Sequence, residues 1–178
     1  MKSIPKFLLL VASLWLGSML SFAQTPKQSK IVGLVPVRNE AHCISTCLRA
    51  LALYTDAIVV LDDASEDATV AVVESLAQEC RVEKILKKTT WYRDEPGDRN
   101  WLLKTGREIG GTHFVVIDAD EMFTANFQKN SLLHSLILRL NPGDRLKLNW
   151  IQLWASPDYY KFHGEKLKYF IFCDDCFS

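Results

Sequence analysis

The sequence has no excess of charge of either sign, since 21 lysines and arginines balance 21 aspartates and glutamates over 178 residues. A nucleic-acid-binding domain normally carries a broad basic surface, and the chain has no such basic field, so we exclude nucleic acid as a partner. Internal repeats and low-complexity tracts are also missing, which excludes repeat architectures. The hydrophobic share of 48% is enough for one domain with its own core.

Acidic residues are missing from the start of the chain, where Glu40 is the first. Lys2 and Lys6 precede an apolar stretch at residues 7–20, and Ser21 and Ala23 follow it. This order of basic, apolar and small residues is typical of a secretory signal, and the stretch is short for a membrane span of roughly 20 residues. We therefore predict that residues 1–23 are a signal peptide or an N-terminal anchor. The protein would then be exported or associated with a membrane, on a side that the sequence leaves open.

Apolar and amphipathic stretches alternate after a predicted linker at residues 24–29. The apolar runs predict strands at residues 30–37, 57–63, 81–88, 112–120 and 145–154. The amphipathic stretches predict helices at residues 39–54, 65–80, 96–111 and 126–140. This alternation is typical of a mostly parallel sheet with helices on both faces. The predicted fold class is therefore α/β, with one three-layer α/β/α domain over residues 30–178.

Acidic residues stand at the ends of two predicted strands. Asp62 and Asp63 end the second strand, whereas Asp118 and Asp120, followed by Glu121, end the fourth. Ligands of such sheets bind outside the carboxyl ends of the strands, so these acids share one rim if both strands are parallel. Carboxylates this close repel one another unless a positive charge lies between them, and Mg²⁺ and Mn²⁺ prefer oxygen ligands. The pattern predicts a metal site at this rim.

Simpler roles stay open for the same residues. A solvated turn explains an acidic pair after a buried strand, and an acidic pair before a helix can cap it. The helix dipole favours Glu40 at a helix N-terminus, and Arg38 and Arg99 can be surface charges. The four histidines share no metal-ligand spacing and are interpreted as structural or exposed, while Cys43 and Cys47 are interpreted as buried thiols.

Three motifs, in this order and with compatible spacing, resemble glycosyltransferase family 2, which has the GT-A fold. They are "PVRNE" at residues 36–40, "DDASEDAT" at 62–69, and "DRN" at 98–100 followed by "DAD" at 118–120. The resemblance covers about residues 30–124 and implies the N-terminal, donor-binding half of that fold. It also implies that the acceptor half is incomplete in this chain, which would then be either truncated at its C-terminus or a short relative of the family.

The resemblance implies a transferase that moves a sugar from a nucleotide-sugar donor, with UDP-sugars favoured, to an unknown acceptor. It implies inversion at the anomeric carbon and Mn²⁺ or Mg²⁺ held by Asp120 and Asp118. The residues that it places around the nucleotide and the donor are Pro36, Arg38, Glu40, Asp62, Asp63, Arg99 and Asp118. No residue matches the general base of the family, so the catalytic residue stays unknown.

Two other functions are open to the same motifs. The first is a nucleotide-binding domain that lacks catalysis, which an incomplete acceptor half would favour. The second is a phosphohydrolase that resembles the haloacid dehalogenases, with Asp118 as nucleophile and Asp120 as acid. In that family the Asp-x-Asp motif normally opens the catalytic domain, whereas here another acidic pair lies upstream of it.

Overall fold

The computed structural model describes residues 28–123, 132–153, 159–161 and 167–175. The predicted signal or anchor and most of the linker lie outside these residues, so export or membrane attachment stays a prediction. The beginning of the predicted helix at 126–140 also lies outside them. Within the described part of the chain, no helix is long and apolar enough to cross a membrane.

Strands and helices alternate through the first half of the domain, as predicted. The strands are β1 (Ile31–Val37), β2 (Ala57–Asp62), β3 (Val82–Lys87), β4 (His113–Val116), β5 (Arg145–Asn149), β6 (Gln152–Leu153), β7 (Tyr160–Lys161) and β8 (Leu167–Cys173). The helices are α1 (Ile44–Leu51), α2 (Thr69–Leu76), α3 (Glu95–Glu108) and α4 (Leu132–Ile137). Each predicted strand and helix therefore overlaps an observed one, whereas β7 and β8 were not predicted.

Several predicted boundaries were wrong, including those of α1 and of the strand predicted at 145–154. The helix predicted from residue 39 begins at Ile44. Asn39 adopts a positive φ of 53° that a right-handed helix does not allow, residues 41–43 form a turn, and Cys43, at φ −124°, is the N-cap. The strand predicted at 145–154 is divided into β5 and β6, which belong to different sheets. Alternating polarity alone did not reveal this break.

The main sheet has six strands in the order β3-β2-β1-β4-β8-β5. Strands β1, β2, β3 and β4 are parallel to one another. Strand β8 is antiparallel to both of its neighbours, β4 and β5. Parallel strands place their carboxyl ends at the same edge of a sheet. The ends of β1, β2 and β4 therefore lie side by side, as the prediction of a shared acidic rim required.

Both faces of the sheet are buried. On one face, residues of β1 and β2 pack with α1, α2 and α4; on the other, Val32, Leu34 and Phe114 pack with Leu102 of α3. α1 lies very close to β1, since a Cβ atom on Gly33 would come within 2.6 Å of Leu51 Cδ2. This arrangement confirms the predicted three-layer α/β/α domain.

A buried ion pair joins the last turn of α3 to the end of β8. The Arg107 guanidinium donates to both oxygens of Asp174, over 2.8 and 2.7 Å, and the Asp174 side chain is only 4% exposed. Such a two-pronged pair fixes orientation as well as distance. It secures the antiparallel strand β8 to the parallel part of the domain.

Replacing Arg107 by methionine is expected to lower the free energy of unfolding by about 3 kcal/mol, because the Asp174 carboxylate would stay buried without this partner. Urea unfolding followed by circular dichroism measures the change. The matched control is Arg49→Met, whose pair with Glu79 is also two-pronged but about half exposed. That control should cost much less, because water and salt screen an exposed pair, and equal losses in both variants would contradict the expectation.

Candidate functional site

An open cleft of about 390 Å³ lies at the carboxyl ends of β1 and β4 and beside the N-terminus of α3. The cleft is lined by Pro36, Val37, Arg38, Glu40, Asp63, Trp91, Arg93, Asp94, Glu95, Asp98, Arg99, Asp118, Ala119 and Asp120. These include every site residue predicted from the sequence except Asp62. The cleft thus brings together three motifs that are far apart in the chain.

Asp62 has a different place. Its residue is 5% exposed, and its two carboxylate oxygens accept from the backbone N–H of Ser65, over 3.3 and 3.2 Å. A carboxylate that accepts from a backbone N–H three residues on stabilises a turn. Asp62 therefore shapes the loop between β2 and α2, and Asp63 is the member of the pair that faces the cleft.

A buried lysine, which sequence reasoning missed, lies behind Asp63. The Lys88 side chain is 4% exposed. Its Nζ forms an ion pair with Asp63 Oδ1 at 2.6 Å, and it donates to both carboxylate oxygens of Asp98 over 3.1 Å. It also donates to the Tyr92 carbonyl over 3.1 Å. Lys88 directly follows β3, so the rule that pointed to the acids at strand ends also pointed to this position.

Two cationic side chains, Arg99 and Lys168, lie beside the acids that follow β4. Arg99 Nη2 lies 3.3 Å from Asp118 Oδ1, and Lys168 Nζ lies 3.0 Å from Asp118 Oδ2. The same lysine donates to both oxygens of Glu121, over 2.7 and 2.9 Å, and Trp150 Nε1 donates to Glu121 over 2.9 Å. Side chains of the protein therefore balance the charges of Asp118 and Glu121.

Asp120 lacks this compensation. It is exposed, and its carboxylate makes no ion pair or hydrogen bond to another residue in the part of the chain that the structure describes. Partial desolvation in the cleft raises the pKa of Asp120, and the charges of Glu121, Glu40 and Asp118 add to the rise. A bound cation would relieve this repulsion, and a hard divalent cation commonly takes one or two carboxylates together with substrate phosphates. The donor set at Asp120 and Asp118 therefore fits Mn²⁺ or Mg²⁺.

Arg38 connects the first two motifs. Its Nη1 donates to the carbonyls of Asp63 and Ala64, over 2.6 and 2.9 Å, and its guanidinium carbon lies 5.2 Å from the ring centroid of Trp91. Trp91 is 54% exposed and lines the cleft. An exposed aromatic face held by a cation is suited to stacking against a flat ring.

Glycosyl transferase family 2 matches the chain at residues 34–130, which is more than half of its length. Among solved structures, residues 1–349 of S. aureus TarS in complex with UDP are 26% identical, with a TM-score of 0.50. Mannosyltransferase PcManGT from Pyrobaculum calidifontis, in complex with GDP-Man and Mn²⁺, is 22% identical with the same TM-score and supports the fold alone.

These alignments cover 60% of this chain and 31% of the TarS chain, and 72% of this chain and 36% of the PcManGT chain. The chain thus spans about a third of the length of each structure. The predicted GT-A-like fold agrees with both likenesses, and the family match includes all three motifs of the cleft. This chain belongs to glycosyl transferase family 2.

Proposed function

We propose that the protein transfers a sugar from a nucleotide-sugar donor to an acceptor and that the donor binds in the cleft. The observation that carries this proposal is the uncompensated Asp120 carboxylate in the cleft, beside an Asp118 whose charge is balanced. The family match supports this reaction over phosphate hydrolysis. A UDP-sugar is the favoured donor, because the TarS structure with 26% identity is a complex with UDP.

The diphosphate of the donor is assigned to the end of the cleft near Asp120. Mn²⁺ or Mg²⁺, held there by Asp120 and Asp118, would supply positive charge that stabilises a departing nucleoside diphosphate. Arg99 and Lys168 hold Asp118 from two sides and keep its carboxylate in one orientation. Arg99 is partly exposed in the cleft and adds positive charge on the side where phosphates would lie.

The nucleoside is assigned to the end of the cleft near Asp63. Lys88 and the Arg38 guanidinium fix this part of the loop, which leaves the partly exposed Asp63 carboxylate able to accept from a base or a ribose hydroxyl. Trp91 offers an exposed aromatic face beside it. Asp62 stabilises the turn after β2 and so contributes to nucleoside binding only by positioning Asp63.

The transfer that we propose is inverting. The acceptor hydroxyl attacks the anomeric carbon as the nucleoside diphosphate leaves, and a carboxylate removes the hydroxyl proton. Asp174 is not suited to this step. It follows Cys173, which pairs with His113 at the start of β4, whereas Asp118 follows the end of β4. Its carboxylate also forms an ion pair with Arg107. Asp158 and Glu165 lie outside the described residues, so the general base and the acceptor stay unassigned.

Calorimetric titration of the full-length chain with UDP and Mn²⁺ tests donor binding. We expect binding that weakens more than tenfold, or by more than about 1.4 kcal/mol, when the metal is removed with a chelator. A folded sample that binds none of UDP, GDP and ADP would contradict the proposal. A nucleotide-binding domain without catalysis gives the same titration, and release of UDP from a UDP-sugar in the presence of acceptor distinguishes the two.

A further inference from the structure

A carboxylate, an imidazole and a thiol meet in the turn that precedes α1. One donor atom from each of Glu40, His42 and Cys43 lies within 4.8 Å of the other two. Glu40 Oε2 is 3.1 Å from Cys43 Sγ and 3.7 Å from His42 Nε2. These are the three kinds of side chain that bind Zn²⁺ in proteins, and the sequence had suggested no such role for them.

The spacing of these atoms is that of a metal coordination shell. Tetrahedral Zn²⁺, with bonds of about 2.0 to 2.3 Å, places neighbouring ligand atoms roughly 3.3 to 3.8 Å apart. The two distances from Glu40 Oε2 lie close to this range, and the third pair is within 4.8 Å. His42 is exposed and Cys43 is partly exposed, so both side chains have room to adjust to an ion.

The backbone of the turn is held in place from outside. The Glu40 N–H donates to Thr69 Oγ1 over 2.8 Å, and Thr69 is fully buried. The Ala41 N–H donates to Asp67 Oδ2 over 3.2 Å. Because the loop before α2 fixes this turn, the ligands would not have to be ordered from a flexible chain, which lowers the entropic cost of binding.

We propose that Glu40, His42 and Cys43 bind a divalent cation of the zinc type, which accepts sulfur and nitrogen ligands. This preference distinguishes the site from the oxygen ligands of Asp118 and Asp120. On binding, the Cys43 thiol forms a sulfur–metal bond and releases its proton to solvent. Three protein ligands leave a fourth position for water or for a further carboxylate.

The site borders the donor cleft. Glu40 lines the cleft, and Cys43 Sγ lies 3.5 Å from the carbonyl of Ala119, the residue before Asp120. An ion at this turn neutralises Glu40 and so weakens the repulsion that surrounds Asp120. Occupancy of the turn is therefore coupled to the charge of the cleft, although the binding of the ion itself does not require a nucleotide.

Titration of the full-length, reduced chain with Co²⁺ in the absence of nucleotide tests the site. Cobalt bound to a thiolate gives a sulfur-to-metal charge-transfer band in the near ultraviolet. We expect one equivalent of Co²⁺ to produce this band and Zn²⁺ to abolish it by displacement. Cys43→Ser should remove the band, and His42→Ala should weaken Co²⁺ binding at least tenfold.

The matched controls are Cys80→Ser, a thiol outside the turn, and His134→Ala, a histidine of α4; both should leave the band unchanged. A band that persists in Cys43→Ser, or its absence from the unmodified chain, would overturn the proposal. Binding of UDP with Mn²⁺ is measured separately and should persist in Cys43→Ser. A missing cobalt band with normal UDP binding therefore counts against this site alone.

Discussion

Replacement of Lys88 by methionine is expected to lower the free energy of unfolding by about 3 to 5 kcal/mol. Methionine has a similar length and fits the buried space, but it leaves the carboxylates of Asp63 and Asp98 facing each other without the ammonium between them. Removing one partner of a buried ion pair costs more than the pair contributes, because the remaining charge stays desolvated. Urea unfolding of both proteins measures the difference.

The neighbouring residue supplies the control. Lys87 forms a pair with Glu74 in which both side chains are about half exposed, so Lys87→Met should cost no more than about 1 kcal/mol. Adding Asp98→Asn to Lys88→Met should recover part of the loss, since the second change removes one of the unpaired charges. A loss in Lys88→Met no larger than that of the control would refute the role given to Lys88.

The effect of Lys88 on stability also has a defined pH dependence. Burial alone would lower the pKa of Lys88, but its interactions with Asp63 and Asp98 outweigh burial and raise it. A lysine whose pKa is higher in the folded state stabilises the fold fully below its unfolded pKa of about 10.4. The difference between the native chain and Lys88→Met should therefore be constant near neutral pH and shrink in strong alkali, where Lys88 loses its charge.

The sequence was sufficient for the parallel part of the fold because each of its signals is local. Mainly apolar runs indicate β1, β2 and β4, and the rule that ligands bind at the carboxyl ends of parallel strands predicts Asp63, Asp118 and Asp120 on one rim. The two acids of "DD" have the same local pattern, however, and only the backbone geometry shows that Asp62 turns to Ser65 while Asp63 faces the cleft.

The cation beside Asp118 was not predictable from local pattern. Lys168 is 50 residues further along the chain and reaches the cleft only because β8 runs antiparallel to β4. Nothing in the residue pattern of β8 specifies its neighbour or its register, so the lysine could not be assigned to the site. Trp150 lies between β5 and β6, and its sequence neighbours do not specify its contact with Glu121. The three acids did indicate that a positive charge lies between them, but not that the protein supplies part of it.

The change Asp120→Asn is expected to weaken binding of UDP with Mn²⁺ about 100-fold or more, roughly 2.7 kcal/mol. Asparagine preserves the shape of the side chain but removes the charge that makes this position a ligand for a hard cation. Calorimetric titration with and without metal measures the effect. Binding without metal should change little, because the variant lacks only the part of the affinity that depends on the cation.

Urea unfolding of the variant shows whether weaker binding comes from loss of the metal ligand or from misfolding. The raised pKa of Asp120 means that its ionised form is disfavoured in the folded state, so without metal the charge destabilises the fold above that pKa. Asp120→Asn should therefore unfold at the same or a higher urea concentration than the unmodified chain. Asp118→Asn should instead unfold earlier, since it loses its pairs with Arg99 and Lys168.

The exposed Glu79→Gln, outside the cleft, is the control for loss of one negative charge and should bind UDP and Mn²⁺ as the unmodified chain does. If Asp120→Asn retained full metal-dependent binding, the cation would have to be held elsewhere in the cleft. We expect this variant to lose metal-dependent affinity while keeping or gaining stability. The charge of the Asp120 carboxylate destabilises the fold when no metal is bound, and the same charge would bind the cation.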